Sequence, residues 1–455
     1  MDKATVKIIA ASTAGENVCA AAGRISTMEG TALEIYHRTL EKDNNAALIG
    51  KVIGSGHTSV LEHAFFTVAF DSVSVFTEQF VIEFRLGSYT VQSRRYVDYS
   101  RAGFFAPPLP DALNVGFRSH MQSLFDDYAM LLALGIPKED ARFVLPYCFR
   151  SNFFVTMNAR ELLLMVMTMT KGRGRHYTEL RTLGQSLAAQ LSEFLPDVPE
   201  ILSKRYWAEE DRFAPLLPER LPEQREAEAE TELLALSPAG SLTALLQNAA
   251  AANWAAADSP LPDTAGILRG ERPRELELIH AQFTIRNLSL AAITHLVRHR
   301  VQTVLVPHIA QAVRQGTYLL PESVRENPQA LTIYRDAFAR TRETLARLTA
   351  EGLPADCVQY FALAGNQLDV LCDMDGRELL HFMKLRTCTR AQWEIRACAV
   401  SLLEQLREKE PALFSLFGPS CYVLGKCPEG RLSCGRQAEM QARFAGGEEV
   451  SLRDD

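Results

Sequence analysis

Two apolar patterns alternate along the chain. Short runs, VKIIAA from Val6, FFTVAF from Phe65 and FTIRNL from Phe283, are rich in β-branched and aromatic residues and alternate weakly, which predicts strands. SVSVFTEQFVIEF from Ser72 and LAAITHLVRHR from Leu290 have a spacing compatible with helices. Four longer stretches carry apolar residues at i, i+3, i+4 and i+7 and predict amphipathic helices: FRSHMQSLFDDYAMLLAL from Phe117, NARELLLMVMTM from Asn158, LTIYRDAFARTRETLARLTAE from Leu331, and the long run GRELLHFMKLRTCTRAQWEIRACAVSLLEQLREKE from Gly376. Strands and helices intermingle in this way in each half, so each half reads as α+β.

The pattern also repeats. GIPKEDARFVLPYCFRSNFFVTMNARELL from Gly135 aligns without a gap to GLPADCVQYFALAGNQLDVLCDMDGRELL from Gly352, 217 residues later. LEHAFFTVAF from Leu61 answers LIHAQFTIRN from Leu278 at the same separation. Internal similarity of this length marks a duplicated unit. The expected organisation is a first domain at 1–204, a Pro/Glu-rich exposed linker, part helical, at 205–231, a second domain at 232–417, and an extension at 418–455 that ends in a frayed tail from Met440.

Composition narrows the functional classes. The 455 residues are 47% hydrophobic and 23% charged, ordinary for a globular protein with a large core. The net charge of −7 excludes an overall basic field for nucleic acid, so the arginine clusters act locally. No apolar run is long enough to span a bilayer, and MDKATVKIIAASTAGENV does not read as a signal peptide, so no membrane partner is expected. Nine cysteines, an odd number, point to reduced thiols and a cytoplasmic setting.

Candidate chemistry lies in four clusters. In GHTSVLEH, Ser59 and Glu62 have capping-box spacing, which predicts a helix start; His57 and His63 bracket it, and the stretch is either a capped helix or an anion site. In SYTVQSRRY, Ser93, Arg94 and Arg95 are either a phosphate grip or a solvated basic loop. Arg298, His299 and Arg300 cannot share one helix face, so they grip different groups or form a surface turn. Arg386 and Arg390, four apart, are expected to stack on one helix face, where an anion would relieve their repulsion; the other reading is a solvated face offset by Glu378 and Glu394. There is neither a G-x-G-x-x-G after a strand nor a G-x-x-x-x-G-K-[ST].

Taken together, GHTSVLEH, an R-H-R, a serine separated by seven residues from such a position, S-x-R-Y, ARxVLP, NAREL and LR…AQWEI resemble the flavin-dependent thymidylate synthases, whose signature is RHR-x7-S. Both halves resemble that family, which implies a tandem fusion of two copies of its fold, a small mixed or antiparallel sheet with long helices. Neither copy is complete. The first has Glu83-Phe84-Arg85 where the family has Arg-His-Arg, but keeps Ser93, Arg95, Tyr96 and Arg142. The second keeps Arg298-His299-Arg300 but has His308 for the serine and Gln359 for Arg142; Arg386 faces Met169, Asp375 faces Asn158, and Arg390 faces Arg173.

The resemblance implies reductive methylation of dUMP to dTMP, with FAD, NADPH as reductant and methylenetetrahydrofolate as carbon donor. It implies that His57, Ser59, Glu62, Asn158, Arg160, Arg298, His299, Arg300 and Arg390 line the FAD site. It implies that Ser93, Arg94, Arg95, Arg142 and Arg386 hold dUMP, with Arg386 activating the pyrimidine. The family's sites combine parts from different subunits, so the complementary losses imply a dimer of pseudo-dimeric chains with half as many working sites as domains. The alternative function is a degenerate paralogue that binds flavin or nucleotide without turnover, in a regulatory or assembly role. Finally, Cys421, Cys427 and Cys434 stand six and seven apart in a Gly-rich segment. There is no C-x2-4-C pair, and a fourth ligand could come only through the fold, from Cys357, Cys372 or Cys388, so they are expected to pack the extension; a metal site and a disulfide are the alternatives.

Overall fold

The computed structural model describes residues 3–205, 215, 221–253 and 261–446. The chain forms two compact units, Met1–Pro222 with Pro321–Ala364, and Glu223–Leu320 with Gly365–Asp455. A segment of the second repeat, Pro321–Ala364, thus belongs to the first unit.

The first unit is built on an antiparallel sheet of β1 (Thr5–Ala11), β2 (Phe65–Ser74), β3 (Gly87–Val91) and β4 (Arg150–Asn158), ordered β1-β2-β4-β3. In the second unit β5 (Arg225–Glu226) pairs in parallel with β9 (Thr317–Tyr318). The main sheet there holds β6 (Glu230–Ser237), β7 (His280–Ser289), β8 (Gln302–Leu305) and β10 (Gln367–Asp375), ordered β6-β7-β10-β8. Both sheets therefore have one topology, and both units are α+β. Inward-facing residues such as Val68, Phe70 and Val155, or Phe283, Ile285 and Met374, are buried under the long helices.

Register corrects the repeat by two residues in this region. Phe65 pairs with Asn158, and His280 pairs with Asp375. Asn158 and Asp375 are 217 apart, but Phe65 and His280 are 215 apart. A shift of two leaves every side chain on its own face, so the apolar pattern cannot register it. With that register, small devices recur. Ser72 and Asn287 both take positive φ at a strand irregularity, and their N–H groups donate to Asn152 Oδ1 and Asp369 Oδ1, each at 2.8 Å. Ser74 and Ser289 donate from backbone and hydroxyl to buried Glu179 and Glu394, which pin a following helix to the strand end.

The expected helices are present with one break. Asp111–Ala133 and Pro328–Ala350, equivalent in the two repeats, pack antiparallel within the first unit: Gly116 lies against Leu348, and Asp127 bonds Arg340. The run from Gly376 is not continuous, however; it forms Gly376–Arg386 and Trp393–Lys409. Thr387 turns its hydroxyl back onto the Met383 carbonyl at 2.7 Å, and Gln392 caps the next helix by accepting from Ile395 N at 3.0 Å. The Thr-Cys-Thr between them has weak helix propensity. The predicted tail from Met440 is also partly ordered: Gln437–Gly446 is helical, with Met440 and Phe444 buried. Of the linker, 206–214 and 216–220 lie outside the described residues, as do 447–455.

Candidate functional site

In the second unit the site grows from a short helix. Ser289 caps Leu290–Leu296, and the chain then turns, leaving Arg298 and Arg300 exposed and His299 only 3% exposed between them. His299 Nδ1 lies 2.8 Å from Glu378 Oε1, and Arg386 Nε donates to His299 Nε2 at 3.0 Å. An arginine nitrogen can only donate, so His299 Nε2 carries a lone pair and the ring proton sits on Nδ1, bonded to the Glu378 carboxylate. Burial pushes the imidazole pKa down; Glu378 opposes this, while the Arg386 charge adds to it. His299 is therefore a neutral relay. Arg386 Nη2 also donates to the His295 carbonyl at 3.1 Å, so the guanidinium is held at two points.

Donor atoms of His299, Glu378 and His381 lie within 4.8 Å of one another. That grouping does not make a cation site, because the one lone pair of His299 already accepts from Arg386 and its other nitrogen donates to Glu378. Beside it a cleft of about 490 Å³ is lined by Glu277, Asp375, Arg377, His381 and Lys384. Arg390 is exposed on the turn after the helix break, so it does not stack over Arg386 as the sequence led one to expect.

In the first unit the turn Thr58–His63 is 3-10 helix, and His57 and Ser59 are exposed. The expected capping box does not form: there is no side-chain cap, because Glu62 is drawn to Arg160. In the second unit Glu277 pairs with Arg377 at the equivalent place, at 2.6 Å. Asn158 caps Ala159–Thr170, accepting from Glu161 N at 2.9 Å, and Asp375 caps its helix likewise. The Asn/Asp difference between the repeats thus exchanges one good cap for another.

Also in the first unit, Arg94, Arg95 and Arg142 gather around carboxylates. Arg94 points inward and bonds buried Glu78, which also accepts from Ser151. Arg95 Nε meets Glu139 Oε1 at 2.9 Å, and the Ser93 hydroxyl accepts from Arg95 N at 3.3 Å. Arg142 is 3% exposed; its Nε donates to the Glu139 carbonyl at 3.0 Å, but its Nη2 has no hydrogen-bond partner. Burial, outweighing Glu139, pushes its pKa down to about 10. A buried guanidinium with an unused donor is chemically suited to an anion.

The family model described as "Thymidylate synthase complementing protein" matches residues 7–197 and again 264–412. The chain belongs to this family. It carries the family's domain twice, in tandem. Its relatives include the protein named flavin-dependent thymidylate synthase of Geobacter sulfurreducens, 34% identical over 176 residues, covering 37% of this chain and 74% of the relative. The protein of that name in Clostridium tetani is 30% identical over 190 residues, with the same coverage of each chain. Among solved structures, the UMP/dUMP methylase PolB from Streptomyces cacaoi bound with 5-Br dUMP is 21% identical, with a TM-score of 0.38, over 45% of this chain and 96% of that one. Thymidylate synthase X from Helicobacter pylori with FAD and dUMP is 16% identical, with a TM-score of 0.35, over 42% and 97%.

Sequence reasoning missed the carboxylates that organise the arginines: Glu78, Glu139, Glu277, and the role of Glu378. Glu78 had a signal, being the lone charge in the apolar helix Val75–Ile82. The others are exposed-looking acids whose partners lie far off in sequence. No described helix is long and apolar enough to cross a membrane.

Proposed function

We propose that the chain is an FAD-dependent thymidylate synthase that converts dUMP to dTMP, with methylenetetrahydrofolate as carbon donor and NADPH as reductant. The family membership and the names of the relatives support the chemistry. The observation that carries the substrate assignment is Arg142: its buried guanidinium has an Nη2 donor without a hydrogen-bond partner near Arg95, whose own backbone N–H bonds Ser93, a grouping suited to a nucleotide phosphate. Arg94, committed to Glu78, positions that loop from within.

Arg386 is the group assigned to the pyrimidine. Held by His299 and the His295 carbonyl, its charge stabilises the electron-rich form of the ring in which C5 attacks the carbon donor. The neutral state of His299 keeps the relay from competing for negative charge. Exposed Arg298, Arg300 and Arg390 fit the pyrophosphate of a dinucleotide. His57, Ser59, Glu62, Asn158, Arg160 and His299 complete the assigned FAD residues, Asn158 and the Glu62–Arg160 pair by fixing the backbone of the turn. The flavin, when bound, supplies the redox chemistry. No side-chain nucleophile is required. One reaction needs both the phosphate set of the first repeat and the arginine set of the second, so the expected assembly is a dimer of chains in a cytoplasmic enzyme.

The test is dTMP formation by the purified chain given FAD, dUMP, methylenetetrahydrofolate and NADPH, together with rescue of a thymidine auxotroph. Bound flavin without product or rescue would replace this reading with that of a non-catalytic flavin-binding paralogue.

A further inference from the structure

The nine cysteines fall into two kinds. Cys19, Cys148, Cys357, Cys372 and Cys398 are buried and serve as small apolar side chains. The remaining four are gathered in the second unit, and three of them, Cys388, Cys427 and Cys434, are only half-buried. None of the nine is in a disulfide. Thiols that merely filled a core would be as enclosed as the first five.

The fold brings these four together from two places far apart in sequence. Cys388 sits on the turn that breaks the long helix, and its carbonyl accepts from Ala391 N at 2.9 Å. The helix before that turn packs against Ser420–Val423, where the Ser420 hydroxyl donates to the Lys384 carbonyl at 3.2 Å, so Cys421 is carried to the same place. The segment then curls back. Cys427 N donates to Gln437 Oε1 at 3.2 Å, and Gln437 Nε2 returns to the Gly425 carbonyl at 2.9 Å. Gly425 and Gly435, at φ +70 and +77, adopt the left-handed conformation that bends the chain on either side of Cys427 and Cys434. As a result the Cys421 thiol lies within electrostatic range of the other three, and Cys388 within range of Cys427 and Cys434. Arg390 faces Cys434, and Glu429 faces Cys388.

We infer that Cys388, Cys421, Cys427 and Cys434 ligate an iron–sulfur cluster of the [4Fe–4S] type. Four thiolates are the ligand set of such a cluster, and Cys427-Pro428 has the Cys-Pro form frequent at its ligands. A single structural zinc fits less well. It draws four sulfurs to roughly 3.8 Å from one another, given a Zn–S bond of about 2.3 Å, and usually takes a close C-x2-4-C pair. Here the spacings along the chain are longer. Such a cluster ties the C-terminal extension to the turn that lies between Arg386 and Arg390. The inference is independent of the reaction proposed above.

The full chain, without a polyhistidine tag, is purified anaerobically and, if needed, reconstituted with ferrous iron and sulfide. Iron, acid-labile sulfide and zinc are then assayed chemically, because flavin absorbance overlaps that of a cluster. About four irons and four sulfides per chain are expected. Cys427→Ser and Cys434→Ser should each lose most of both, while Cys19→Ala, in the other unit, should keep them. Far-UV circular dichroism separates loss of ligand from loss of fold. Zinc without sulfide, or no metal after reconstitution of the wild-type chain, overturns the assignment. Full iron and sulfide in either cysteine-to-serine variant overturns the ligand set.

Discussion

Replacing His299 with phenylalanine isolates what the imidazole does for Arg386. Phenylalanine is what the first repeat carries there: Phe84 is buried, and Met169, equally buried, stands at the place of Arg386. The substitution removes one bond to a charged guanidinium and leaves the tether to the His295 carbonyl. A hydrogen bond to a charged group contributes about 1.5–3 kcal/mol. If all of it acts through the placement of Arg386 in the transition state, kcat/KM falls roughly 10- to 150-fold. The assay is kcat/KM for dTMP formation expressed per bound flavin, because His299 also stands among the residues assigned to FAD. His299→Gln, whose amide oxygen can accept from Arg386, should recover part of the loss. The decisive comparison is the double variant with Arg386→Met. Once the arginine is gone, His299→Phe should add little, because the interaction it removes no longer exists. Effects that multiply in the double variant would refute the relay.

Arg95→Ala should weaken dUMP binding by ~2 kcal/mol or more with flavin content nearly unchanged; equal loss of both, by titration calorimetry and flavin release, would place the arginine at the wrong ligand. Burial lowers the pKa of His120 from 6.5 to about 4, so the fold prefers the neutral ring; stability should fall as pH drops from about 6.5 towards 4, by on the order of 3 kcal/mol. His120→Asn should flatten that slope in denaturant melts, and an unchanged slope would count against it. Arg94→Ala leaves Glu78 buried without its partner and should cost about 3–5 kcal/mol, whereas the triple change Glu78→Ile, Arg94→Ile, Ser151→Leu, which copies the second repeat, should be near neutral or stabilising; a triple variant as unstable as the single one would contradict this. Light scattering should find two chains associated at micromolar concentration, and an active monomer would refute the assembly.

Much of the fold was legible because it is written in periodicity. Each long helix repeats its apolar residues at helical spacing, and the strands alternate; both signals are local. What failed was also physical. A register shift of two preserves face, so the offset of β2 and β7 looked correct when it was not. The break at Thr387 rests on a hydroxyl turned onto its own helix and a glutamine cap, neither of which disturbs the hydrophobic pattern. The capping box at Ser59 was plausible by spacing, but Glu62 had a stronger partner in Arg160, 98 residues away. At the site the arginines could be named from sequence, whereas the acids that aim them could not, because an ion pair is a long-range contact with no periodic trace.

The differences between the repeats follow contacts rather than positions taken singly. Where the second repeat has His299 and Arg386 bonded, the first has Phe84 and Met169. Where the first has Glu78, Arg94 and Ser151 bonded, the second has Ile293, Ile309 and Leu368, all buried. Losing one member of a buried polar set strands the others, so the Glu78–Arg94–Ser151 set is replaced whole by apolar residues; the acid beside His299, Glu378, persists in the first repeat as Glu161, which accepts from Leu86 N at 3.4 Å instead. The same logic explains Glu83. In the second repeat the equivalent residue is Arg298, exposed, with Arg390 exposed on a later turn. In the first repeat Glu83 bonds Arg173, the counterpart of Arg390, and Arg173 lies over the Phe80 ring. A carboxylate from the same chain thus occupies the guanidinium that an anionic ligand would use. An incoming phosphate would have to displace it and then sit beside its negative charge, so this part of the first repeat is closed to anions.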